Sequence, residues 1–167
     1  MATVVCKLFH IVQPDLAVRL PPSAPTRSHP PQVFGRKDYQ QFQLLCRMVR
    51  DLDLDVQMVG APLLRDPDGL ALSSRNVRLA PAARAAALAI SAALREAGES
   101  YRAGQRDGSA LGAAVRGRIE AAGGEVDYVA VVAQESLQPL AQLTAPAVVA
   151  VAARFGGVRL LDNVEIE

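Results

Sequence analysis

Tryptophan is missing from this 167-residue chain, aromatic residues make up only 4% of it, and among its 18 basic residues only Lys7 and Lys37 are lysines. So few aromatic rings offer little on which bases or sugars could stack, which argues against single-strand nucleic-acid modules. Charge of one sign is lacking too. With 18 basic against 17 acidic residues the net charge is +1, so the chain has none of the field that non-specific nucleic-acid or anionic-membrane binding requires. No run reaches the roughly 18 to 20 apolar residues of a membrane span. The opening Met1-Ala2-Thr3-Val4-Val5-Cys6-Lys7 lacks the order of a signal peptide, so a cytoplasmic location with no membrane role is expected. Cys6 and Cys46 form no CxxC pair or Cys/His ligand spacing, so reduced thiols and no protein-held metal are expected.

The apolar half of the sequence is patterned. Val4, Val5, Leu8, Phe9, Ile11 and Val12 recur at helical spacing up to Pro14. Residues 15–18 read as the start of a buried strand, but residues 18–32, with Pro21, Pro22, Pro25, Pro30 and Pro31, are too proline-rich for a central strand. Val33-Phe34 resumes the apolar run and Gly35 ends it. Asp38, with Gln41 three positions on, reads as a capping box opening a helix over 38–52 that carries Phe42, Leu45, Cys46, Val49 and Leu52. Alternation over 55–59 predicts a strand, and a polar loop spans 65–76. Strands alternating with helices imply an α/β fold with a parallel sheet, whose ligands bind outside the carboxyl ends of the strands. From Pro81 the texture changes to helices over 81–102 and 109–122, then strands over 126–132, 147–153 and 158–161. That order predicts a small α+β domain with an antiparallel sheet, so the expected domains are 1–76 and 77–167.

Two segments carry candidate chemistry. Arg65-Asp66-Pro67-Asp68-Gly69-Leu70-Ala71-Leu72-Ser73-Ser74-Arg75-Asn76 offers adjacent hydroxyls, a guanidinium and a glycine-softened backbone, a set suited to phosphate oxygens. The same Ser and Asn residues also suit a cap for the following helix, and both readings stay open. Gly35-Arg36-Lys37-Asp38 puts a rare lysine near a helix N-terminus, the end that attracts anions, although a lysine there is often simply solvated. Gln41, one turn along, offers an amide to a polar substrate. His10 and His29 lack a second imidazole at ligand spacing, and Pro22-Ser23-Ala24-Pro25 matches only the minimal PxxP pattern.

Residues 3–15, Phe34-Gly35-Arg36-Lys37-Asp38-Tyr39-Gln40-Gln41, Asp68-Gly69-Leu70-Ala71-Leu72-Ser73-Ser74-Arg75-Asn76 and Leu161-Asp162-Asn163 together resemble the pantothenate synthetase (pantoate:β-alanine ligase) family. The resemblance implies the end of a Rossmann-like nucleotidyltransferase domain followed by a C-terminal lid domain. It also implies an ATP-dependent ligase, assisted by Mg2+, that makes pantothenate from pantoate and β-alanine through a pantoyl adenylate. Position by position, Gly35, Arg36, Lys37 and Asp38 fall on the ATP-binding block, Gln41 on a pantoate-binding glutamine and Leu64 on an adenine-side contact. Leu72, Ser73, Ser74 and Arg75 fall on a block like the KMSKS loop, with Lys37, Ser73, Ser74 and Arg75 as the catalytic set. Arg36 replaces a residue that is usually acidic or neutral. The family's early histidine pair, its β-alanine site and one pantoate-binding glutamine have no counterpart here, and residues 18–32 read as an insert. An N-terminally shortened member with weak or absent activity by itself is therefore expected. A non-catalytic subunit pairing with a full-length copy is the alternative, since the family forms homodimers, and an incomplete gene product is a third.

Overall fold

The computed structural model describes residues 31–167. The opening helix, the strand start, His10, His29, the PxxP pattern and residues 18–30 of the insert lie outside the described residues. The chain divides into two compact units, Met1–Pro62 and Leu63–Glu167.

In the first unit, β1 (Gln32–Gly35) leads through a 3-10 turn (Arg36–Asp38) into α1 (Tyr39–Asp51), and β2 (Met58–Ala61) follows. The strands pair in parallel, Gln32 opposite Met58 through Gly35 opposite Ala61, which gives the expected β-α-β order. Gln32, the last residue of the expected insert, is a buried member of this ladder. α1 buries Tyr39, Leu45 and Val49 along one stripe. Its C-terminus closes in a Schellman motif: the Asp53 amide donates to the Arg50 carbonyl at 3.2 Å and the Leu54 amide to the Val49 carbonyl at 3.0 Å. Asp53 takes the left-handed conformation, φ 48°, that glycine usually supplies there. That closure explains why the strand expected over 55–59 begins only at Met58: the residues before it are spent leaving the helix. Gly60 is required by close approach, because a Cβ there would meet Arg36 Cδ and Phe42 Cζ at 2.9 Å each.

The second unit holds α2 (Pro81–Arg102), α3 (Gly108–Ala121) and an antiparallel sheet of β3 (Glu125–Ala133), β4 (Ala147–Phe155) and β5 (Val158–Ile166), with β4 in the centre. α2 starts with Pro81 at its first position, where the missing N–H costs nothing, and buries Ala87, Ile90, Ala93, Leu94 and Ala97. Asp107 caps α3 by accepting from the Ala110 amide at 2.9 Å. Leu111, Val115 and Ile119 join these helical residues against Ala147, Val149, Val151, Ala153 and Phe155 of β4 in one core. The helices and the antiparallel meander match expectation. β5, however, runs five residues beyond the expected end at Leu161, through the buried pair Asp162-Asn163. Residues 63–76 group with this second compact unit. The reason is that side chains anchor the 65–76 loop to β5 and α2.

Candidate functional site

At the carboxyl end of β1 the backbone gathers one group of expected site residues. Gly35 closes the strand exposed to solvent, Arg36, Lys37 and Asp38 form the 3-10 turn, and Gln41 lies in the first turn of α1. This is where open parallel sheets bind ligands. The capping box does not form. Emerging from a 3-10 turn, Asp38 has φ −87° and ψ 64° rather than the extended backbone of a cap, and its carboxylate makes no cap hydrogen bond. Arg36 is half-buried, its aliphatic stem lying against the bare face of Gly60.

The second group sits on a small hairpin. The Arg65–Ala71 bridge and the hydrogen bond from the Leu72 amide to the Leu64 carbonyl, 2.9 Å, pair its arms. Asp66-Pro67-Asp68-Gly69 makes the turn: the Gly69 amide donates to the Asp66 carbonyl at 2.8 Å, and φ +96° at Gly69 requires glycine. Leu70 is driven into the core at 2% exposure, whereas Leu64 and Leu72 remain 64% and 51% exposed. Ser73 follows in extended conformation, its hydroxyl accepting from the Arg75 amide at 3.3 Å, and a 3-10 turn (Ser74–Arg78) leaves Ser74 and Arg75 at the surface. Capping by this loop is therefore real but local, since Ser73 caps the 3-10 turn while α2 begins at Pro81 with no side-chain cap.

Two arginines hold the hairpin. Arg65 donates to both oxygens of Asp162 on β5, Nη1 to Oδ2 at 2.7 Å and Nη2 to Oδ1 at 3.0 Å, and also to the Gly69 carbonyl at 3.0 Å. The Asp162 side chain is 3% exposed, so this bidentate pair with Arg65 lies largely in the interior. Arg84, in the first turn of α2, forks across the hairpin turn: Nη2 donates to Asp66 Oδ2 and Nε to Asp68 Oδ2, each at 2.8 Å. Arg84, and then Asn76, hold the Asp66 carboxyl below the usual carboxylate range; Arg84 and the Leu70 amide do the same for Asp68. Asn76 itself is buried, its Nδ2 donating to Asp66 Oδ2 and to the Ala71 carbonyl at 3.1 Å each.

Sequence reading thus finds the residues at the surface of this loop but misses the framework beneath it. Arg84 and the Asp162 partnership carry no local signal, because their partners lie 18 and 97 positions away. Among the described residues no cluster of three or more His, Cys, Asp or Glu could hold a metal by itself, and no helix is long and apolar enough to cross a membrane.

A parallel β-α-β unit with polar groups at a strand end, followed by a helix-backed antiparallel sheet, defines a mixed α/β protein. Its family follows from comparison: the pantoate-β-alanine ligase family model matches residues 1–165, and the chain belongs to that family. It is 47% identical over 163 residues to pantothenate synthetase of Anaeromyxobacter dehalogenans, covering 98% of this chain and 51% of that protein. It is 44% identical to pantoate-β-alanine ligase of Oryza sativa subsp. japonica over 100% of this chain and 49% of that one. The crystal structure of pantothenate synthetase from Thermus thermophilus superposes with a TM-score of 0.81 at 40% identity, covering 98% of this chain and 54% of that chain. The Francisella tularensis ligase, solved in complex with β-γ ATP and β-alanine, has a TM-score of 0.61 at 28% identity, covering 98% and 48%. The chain spans about half the length of the curated relatives it matches.

Proposed function

We propose that this chain supplies ATP-binding and pantoate-binding elements of a pantoate:β-alanine ligase. In that reaction the pantoate carboxylate oxygen attacks the α-phosphorus of ATP and pyrophosphate leaves. The β-alanine amine then attacks the acyl carbon of the pantoyl adenylate and AMP leaves, giving pantothenate. The observation that carries the reading is the clamped hairpin, which holds out Ser73, Ser74 and Arg75 beside the exposed Leu64 and Leu72. Hydroxyls and a guanidinium suit phosphate oxygens, and two exposed leucines suit the flat apolar face of adenine. Lys37 and Arg75 stabilise the charge that gathers as pyrophosphate departs, Ser73 and Ser74 orient it, Gly35 and Arg36 flank the triphosphate, and Gln41 holds pantoate. This is catalysis by placed charge and position.

Mg2+ would arrive with the triphosphate, and the exposed Asp38 is the carboxylate at the β1 end suited to meet it. The ion, when bound, neutralises phosphate charge. With this reading go a nucleotide-binding domain over 1–76, a lid domain over 77–167, a cytoplasmic location and a homodimer formed through the nucleotide-binding domain. Because the relatives are about twice as long, these 167 residues alone are expected to turn over weakly or not at all, and pairing with a full-length copy is the second reading. The test is AMP release that requires ATP, pantoate and β-alanine together, measured for the chain alone and mixed with a full-length relative. Release by the mixture that is unchanged by Arg75→Ala in this chain removes the catalytic reading.

A further inference from the structure

The clamp is more than a fastening, because two of its bonds meet on one atom. Asp66 Oδ2 accepts from Arg84 Nη2 at 2.8 Å and from Asn76 Nδ2 at 3.1 Å. Asn76 in turn ties the hairpin arm to the 3-10 turn: its side chain reaches the Ala71 carbonyl at 3.1 Å, and its amide donates to the Ser73 carbonyl at 3.0 Å. Ser73 then accepts from the Arg75 amide. An unbroken chain of hydrogen bonds therefore runs from the first turn of α2 to Arg75.

Asn76 is 5% exposed and so well fixed by its surroundings, while Val77, beside it, is 87% exposed. Arg84 is not a member of the hydrophobic core, which is made by Leu70, Ala87, Ile90, Leu94 and their partners. A planar fork is what the geometry uses, with Nε on one carboxylate and Nη2 on another, and an ammonium cannot match both at once.

We propose that Arg84 is a positioning residue for the phosphate-binding loop, acting through Asp66 and Asn76 to set the orientation of the turn that presents Ser74 and Arg75. The proposal rests on the nucleotide-binding reading above. Arg84 itself touches no substrate.

The experiment uses the lack of tryptophan: Val77→Trp places a single tryptophan, excited selectively over the three tyrosines, on the turn. Its anisotropy, the thermal midpoint and MgATP affinity by titration are measured with Arg84 intact, as Arg84→Lys and as Arg84→Ala. Arg84→Ala is expected to lower the anisotropy and weaken MgATP binding about tenfold, since small misplacement of binding groups is costly, while the midpoint moves by only a few degrees. Arg84→Lys is expected to fall between. In an Asn76→Ala background, Arg84→Ala should cost little further affinity, because the two act on one path. Unchanged anisotropy in Arg84→Ala, or losses that simply add to those of Asn76→Ala, overturns the proposal. If the parent chain shows no affinity for MgATP, the nucleotide-binding reading fails instead, and the anisotropy still decides whether Arg84 orients the turn.

Discussion

At the end of β1 the polar residues stand where a parallel strand turns into a helix, whereas the 64–76 hairpin is braced by side chains from β5 and α2. At the β1 end, two four-residue parallel strands and a 3-10 turn bring Lys37 and Asp38 to the carboxyl end of the strand. The hairpin is fixed from beneath by Leu70 in the core, from β5 by the Asp162 carboxylate and from α2 by Arg84. Each kind of support fails in its own way, and that is testable.

The largest effect should come from the hairpin's apolar anchor. Leu70→Ala is expected to cost about 2–5 kcal/mol in urea unfolding, the range for emptying a buried leucine site, while Leu72→Ala, at an exposed position, should change stability by less than about 0.5 kcal/mol. Equal costs would mean that the hairpin is not seated on the core. On the other side, Gly60→Val should cost about 1–3 kcal/mol, because the new side chain must displace Arg36 and Phe42 from β2. The chemical-shift changes should gather at the β1 end and leave the hairpin unmoved; changes at the hairpin would break the distinction between the two kinds of support.

How far the sequence foretold this structure follows the same division. The parallel β-α-β order, the two long helices and the antiparallel meander were legible because each rests on local periodicity or on glycine and proline punctuation. The strand over 58–61 was misplaced because the alternation at 55–59 overlaps a helix end that only the left-handed Asp53 reveals. The extension of β5 was hidden because Asp162-Asn163 looks like a turn until Arg65, 97 positions earlier, is seen to neutralise the carboxylate. Likewise the surface residues Ser73, Ser74 and Arg75 were legible from type and order, but the bracing by Arg84 was not, since no pattern links it to Asp66.

A smaller stabilising effect is expected in the first unit. Asp53→Gly relieves an L-residue at φ 48° in the Schellman motif and should raise stability by about 0.5–1 kcal/mol, read as a higher urea midpoint. The smallest change in global stability concerns acid. Asp66 and Asp68 titrate below the ordinary 3.8 because Arg84 binds their ionised forms. Since the folded values lie below the unfolded ones, the clamp is complete above that ordinary value and is lost as pH falls through the depressed ones. The tryptophan at position 77 in Val77→Trp should therefore keep its anisotropy through mildly acidic pH and lose it only below about pH 3.8, and Arg84→Ala should abolish that transition. Release at higher pH would contradict the direction of the shift.

The central claim, that a strand end and a braced hairpin in this chain bind ATP, is tested most directly by titrating MgATP into the protein and its Lys37→Ala and Arg75→Ala variants. Saturable binding that weakens at least about tenfold in each variant, with unchanged thermal midpoints, is the predicted result. Binding that neither substitution alters, or no saturable binding by the parent chain, would contradict it.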